Sequence, residues 1–146
     1  MKKFLILLLL VTLCLRSQAQ YNCTVIASEQ GSVTYRVTGY GKNVKTASAD
    51  AELSAVKALC FLGAEGTIYQ LPIVSQGQSK AENAHPAFFE SFYGGNYKNF
   101  IETSSIVTPF GKDAAKRKCV TLDVRVRASQ LRSHLERSGI IRKFGL

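Results

Sequence analysis

Tryptophan is missing from the chain, and histidine and methionine are scarce, with two and one among 146 residues. Without tryptophan, a sugar-stacking surface lacks the ring that joins a wide apolar face to a polar handle. Scarce histidine limits nucleophilic catalysis, because a serine or cysteine nucleophile needs a neighbouring base, and no GxSxG occurs. His85 precedes Pro86 at a helix entrance and His134 sits beside the apolar stripe of the last helix, so capping and helix-edge roles are expected. Cysteine numbers four, with neither CxxC nor a metal-type spacing, which argues against a redox dithiol or a zinc site. The prediction is therefore of no cofactor, no metal and no catalytic residue.

Long hydrophobic runs are missing too, except at the start. Phe4 to Leu15 is apolar, Lys2 and Lys3 precede it, and Ser17-Gln18-Ala19 supplies a small-x-small cleavage site. That is the pattern of a secretory signal peptide over 1–19, leaving 20–146 as a single domain. The run is too short for a spanning helix of roughly 20 residues, and no transmembrane helix is expected after cleavage. Leu13 is too bulky for a lipidation site at Cys14, so anchoring there is not expected. In an oxidising compartment, two of Cys23, Cys60 and Cys119 are expected to pair, with the pairing left open.

Acids are outnumbered, 10 against 19 Lys and Arg. Cleavage removes Lys2, Lys3 and Arg16, which leaves a net of +6. From Gly111 onward ten bases face three acids, a net of +7, so the remainder is nearly neutral. This basic region makes Arg125, Arg127, Arg132 and Arg137 the candidate interaction surface. For an exported protein its partner would be another envelope protein or an anionic envelope component, and no nucleic acid is expected.

What is present reads as one α+β domain. Val33, Tyr35 and Val37 alternate with Thr34, Arg36 and Thr38, the period of a half-buried strand. The chain turns at Gly39-Tyr40-Gly41 and enters a helix over 46–62, capped by Thr46 or Ser48, with Asp50 and Glu52 near its positive end and Gly63 as its stop. Its stripe is Ala49, Leu53, Val56 and Cys60, widened by further alanines. Strand, Gly-x-Gly and helix share the opening of a dinucleotide-binding fingerprint, but the third glycine and the later acid are missing.

Residues 21–28 alternate as a first strand, in a hairpin with the second across Glu29-Gln30-Gly31. Ile68 to Leu71 is a brief extended run, and 75–83 has the composition of a mobile loop. Pro86 opens a short helix that Gly94-Gly95 closes, carrying Phe88, Phe89, Phe92 and Tyr93, with Tyr97 and Phe100 beyond. These rings are either a lid on the core or, as an alternative function over 88–100, a periplasmic module for sugar or lipid. Ring exposure distinguishes the two. Residues 100–110 and 114–127 form a second hairpin, and Ser129 caps a last helix with Leu131 and Leu135 inward and Arg132 paired with Glu136. The fold class is thus α+β, a single layer of mainly antiparallel sheet covered by one long and one short helix.

Three stretches carry a resemblance: Thr38-Gly39-Tyr40-Gly41 into 47–63, Pro86 to Gly95, and Val124-Arg125-Val126 into 131–141. Together they resemble small exported envelope domains of the lipoprotein-twenty type, the amino-terminal domain of the flagellar-assembly protein T, and a set of uncharacterised secreted proteins of Bacteroidetes. The resemblance implies a periplasmic or outer-membrane-associated domain that works by binding or assembly, with no catalytic residues to carry across. The expected function is a non-enzymatic exported cell-envelope protein. A small hydrolase is the further alternative, and it would bring Glu90, Glu102, Asp123 or His134 together in a pocket.

Overall fold

The computed structural model describes residues 21–143. The signal-peptide expectation for 1–19, with Cys14 and the cleavage before Gln20, lies outside these residues. In chain order the elements are β1 (Cys23–Glu29), β2 (Ser32–Tyr40), α1 (Val44–Phe61), α2 (Gln78–Ala84), α3 (Pro86–Gly94), a 3-10 turn (Asn96–Phe100), β3 (Ile101–Lys112), β4 (Lys118–Val126) and α4 (Ala128–Arg137). The four strands make one antiparallel sheet in the order β1-β2-β4-β3, which is the α+β class expected from the pattern. Both expected hairpins form, and β2 joins β4 at the centre.

The two central strands alternate as their sequence requires. Val33, Tyr35 and Val37 of β2 and Val120, Leu122, Val124 and Val126 of β4 are buried on the face that α1 covers. The opposite face carries polar partners: Arg36 grips Asp123 through two hydrogen bonds of 2.8 and 2.9 Å, and the Thr38 and Thr121 hydroxyls stand 3.0 Å apart. The β2–β4 pairing runs from Val33 with Val126 to Tyr40 with Cys119 without a shift in register. Register does shift once in β1, after Val25, and three times in β3. Most of β3 is exposed, with Ile106 and Val107 outward.

Helix α1 lies close on the sheet because its contact line is alanine. Ala47, Ala51, Ala55 and Ala58 are buried, as are Val56 and Cys60 of the expected stripe, whereas Ala49 and Leu53 are only half-buried. The buried face is therefore shifted toward the alanines at its amino-terminal half. The cause lies in Gly39: a Cβ there would stand 2.1 Å from the Ala47 carbonyl oxygen and 2.5 Å from the Ala51 nitrogen. The Gly-x-Gly turn thus serves helix-to-strand contact. Asn43, and neither Thr46 nor Ser48, caps α1: its side chain accepts from the Thr46 N–H at 2.9 Å, while the Thr46 hydroxyl accepts from the Asn43 N–H at 3.2 Å. Asp50 lies past the first turn and accepts the Tyr40 N–H at 2.8 Å, so it ties the end of β2 to the helix.

Two other local expectations are corrected. The extended run at 68–71 is a set of turns, closed by the Ala64 N–H on the Tyr69 carbonyl at 2.8 Å and the Thr67 hydroxyl on the Ala64 carbonyl at 2.8 Å. Within the expected mobile loop, Gln78–Ala84 is helix α2, because Ala81 is buried and two of its polar side chains are taken up in tertiary hydrogen bonds. Tyr21 donates to Gln78, Gln78 donates to Glu82 at 2.8 Å, and Tyr93 donates to the same Glu82 oxygen. In α4, Leu131 and Leu135 are buried as expected, but Arg127 holds the cap position, and Ser129 instead donates its N–H to the Gly31 carbonyl at 3.2 Å.

Candidate functional site

The loop after α1 builds one wall of a cleft. Gly63 ends the helix at φ 80°, and the chain doubles back so tightly that a Cβ at Gly63 would meet the Gln70 carbonyl oxygen at 2.5 Å. Tyr69 anchors the loop by accepting the Gly31 N–H at 2.8 Å. Beyond it, Ile73 and Val74 return to the core, with the Val74 N–H donating to the Cys60 carbonyl at 2.8 Å. Ile68 and Leu71 stay outside, 78% and 75% exposed.

The other wall is the end of the chain. Gly139 breaks α4 at φ 74°, and the Ile140 and Ile141 N–H groups donate to the Leu135 carbonyl at 3.0 and 3.4 Å, which docks the tail as expected. Between the walls lies a cleft of about 760 Å³ with Leu71, Ile73 and Ile140 among its apolar lining and Arg132, Arg142 and His85 as its basic groups. Arg132 also stands 4.0 Å from Glu136. Lys143 follows Arg142 and is exposed.

The four arginines singled out from the sequence do not share one surface. Arg125 is on the open face of the sheet, paired with Glu29 and 3.1 Å from Glu102, in a geometry short of a hydrogen bond at its Nε. Arg127 is half-buried at the entry to α4, its N–H donating to the Phe100 carbonyl at 2.8 Å. Arg137 bonds the Ser133 carbonyl at 3.3 Å and borders a separate hollow of about 300 Å³ beside Phe100 and His134. Only Arg132 lines the cleft. Arg142 and His85, which join it there, lie 10 and 47 positions away along the chain, so no local pattern could group them.

The aromatic segment is a lid. Phe89, Phe92, Tyr97 and Phe100 are buried, and Phe88 and Tyr93 are half-buried, so the rings offer no open stacking platform. Tyr97 donates to the Ala49 carbonyl at 3.3 Å, and Lys57 Nζ lies 4.0 Å from the centre of the Tyr93 ring.

The residues that a hydrolase would bring together are each engaged or exposed elsewhere. Asp123 is held by Arg36, whose guanidinium lowers its carboxyl below the ordinary range. Glu102 accepts from the Ser32 hydroxyl at 3.0 Å, and Glu90 is exposed on α3. His134 is packed among rings, 5.1 Å from Phe100 and 5.7 Å from Phe88. Cys23, Cys60 and Cys119 are unpaired, and burial pushes the Cys23 and Cys60 thiols up to about 12, which leaves little thiolate for attack. Among the described residues no three His, Cys, Asp or Glu side chains form a metal-holding group.

Burial first, and then Arg137, lowers the His134 pKa from the ordinary value of 6.5. The unfolded chain therefore takes up this proton first on acidification. The associated stability is complete above about 6.5 and is lost as pH falls from there to the folded-state value. Thermal unfolding between pH 7.5 and 5 is expected to show this loss, and a His134→Phe variant is expected to show a shallower slope. Equal slopes would mean that the ring keeps its ordinary affinity for protons.

No protein-family model, curated protein or solved structure matches the chain. Among the described residues no helix is long and apolar enough to cross a membrane.

Proposed function

We propose that the chain is an exported, non-enzymatic cell-envelope protein that works by binding or assembly, and that the cleft between the 63–76 loop and the end of α4 is its contact surface. The export part rests on the amino-terminal pattern and on the envelope-domain resemblance. The observation that carries the binding part is the cleft itself, where Arg132, Arg142 and His85 surround an apolar floor. The guanidinium cations of Arg132 and Arg142 beside apolar side chains favour an anionic partner, and their field is felt over about a Debye length, near 8 Å at physiological salt. This narrows the candidate surface from four arginines to one of them plus Arg142.

Crosslinking and pulldown from intact envelopes test the proposal. The protein is expected to capture an anionic component or another envelope protein, with capture weakened by salt and lowered about tenfold or more in an Arg132→Gln/Arg142→Gln variant. Lys112→Gln/Lys118→Gln removes the same charge from the exposed β3–β4 turn and is expected to leave capture intact. Equal capture by all three proteins would remove the cleft from the function.

A further inference from the structure

We propose that the anionic component is the lipid surface itself, with Ile68 and Leu71 entering the headgroup layer while Arg132, Arg142 and Lys143 meet the anionic lipids. This rests on the cleft being the contact surface and names what it contacts. Ile68 and Leu71 are the two most exposed large apolar side chains among the described residues, and the next, Ile106, is 59% exposed. They lie three positions apart on a single loop, and Leu71 is also part of the basic cleft. Leu71 thus stands with Arg132 and Arg142, and Ile68 is exposed three positions earlier on the same loop.

Their exposure is built in by the fold. The loop is closed by Ala64 on Tyr69, anchored by Tyr69 to Gly31 and returned to the core at Val74, so its tip is held outward by hydrogen bonds at its base. Its one carboxylate, Glu65, borders a different recess with Leu62 and Cys23, away from the basic cleft. At the loop tip a protein partner is the weaker fit, because protein hot spots favour Trp, Tyr and Arg, and the exposed side chains there are Ile68 and Leu71. Two aliphatic side chains in the headgroup layer do not suffice alone, and neighbouring bases supply the second signal that stable surface attachment needs. Leu71 brings the two signals together at the cleft.

The test uses protein isolated after export, with its amino terminus determined, and flotation with vesicles of equal phosphatidylglycerol and phosphatidylcholine or of phosphatidylcholine alone. Flotation is expected with the anionic vesicles and is expected to be several-fold weaker with the neutral ones. Ile68→Ser/Leu71→Ser is expected to lose about a hundredfold in apparent affinity, from roughly tenfold per aliphatic side chain. Arg132→Gln/Arg142→Gln is expected to lose roughly twenty-five-fold, from about fivefold per base. Circular dichroism of the variants checks that the fold is kept, which is expected because the two aliphatic side chains are exposed. No flotation, or equal flotation by parent and variants, overturns the lipid assignment. If envelope capture still depends on Arg132 and Arg142 in that case, the cleft remains the contact surface and its partner is a protein. If capture is also unchanged by the charge variant, the cleft falls as the contact surface together with the lipid assignment.

Discussion

Replacing Gly39 with alanine is expected to destabilise the protein by about 3 kcal/mol or more, the upper end of what overpacking a core costs. The added carbon would fall 2.1 Å from the Ala47 carbonyl oxygen and 2.5 Å from the Ala51 nitrogen, atoms that no rotamer change can move. Relief requires α1 to shift off β2, opening the contact line from Ala47 to Ala58. Urea unfolding measures the effect, and a second variant identifies its source. Adding Ala51→Gly removes the side-chain contact at 2.7 Å and leaves both backbone contacts, so the double variant is expected to stay nearly as unstable as the single one. Recovery to within 1 kcal/mol of the parent would mean that the helix is not seated on the glycine. For a domain whose whole stability is on the order of 5–15 kcal/mol, a loss of this size changes the folded population measurably.

Phe92→Ala is the other large effect, about 3–5 kcal/mol, the usual cost of emptying a buried phenylalanine site. The ring is 1% exposed and lies 5.5 Å from Phe88, 6.0 Å from Phe100 and 6.4 Å from His134. Truncation leaves a void between α3, the 3-10 turn and α4 that the surrounding rings cannot all close. Phe88→Ala, at a half-buried ring of the same cluster, is expected to cost less. The comparison bears on function, since a stacking platform would lose ligand on truncation and keep its stability. A Phe92→Ala protein that unfolds like its parent would contradict the lid assignment.

The central strands were legible because one covered face imposes a strict period of two, and Val33 to Val37 and Val120 to Val126 obey it without interruption. The seam of α1 was legible in part: Val56, Cys60 and the alanines expected beside them are buried, whereas Ala49 and Leu53 are half-buried. Hydrophobicity favours Leu53, but close approach favours the smallest side chains, and the presence of a glycine opposite them becomes informative only once helix and strand are seen together. Helix α2 was hidden for a related reason: QSKAENA buries only Ala81, and its polar side chains are held by Tyr21 and Tyr93, far from it in sequence. Basic composition pointed to the last third of the chain but could not place its residues on the fold. Alternation sends Arg125 to the open face of the sheet, where acids meet it, and helical pitch separates Arg132 from Arg137. Leu71 and His85 reach the cleft from segments that carry no basic signal at all.

The irregular outer strands have a consequence for growth of the sheet. The inner β2–β4 pair is continuous, whereas β1 contains one register shift and β3 three, with Pro109 in β3 lacking an N–H to donate. A newcomer strand laid along either rim would find its row of donors and acceptors stepped out of line within a few residues. Neither rim offers an uninterrupted template, so the addition of a further copy strand to strand is disfavoured along both.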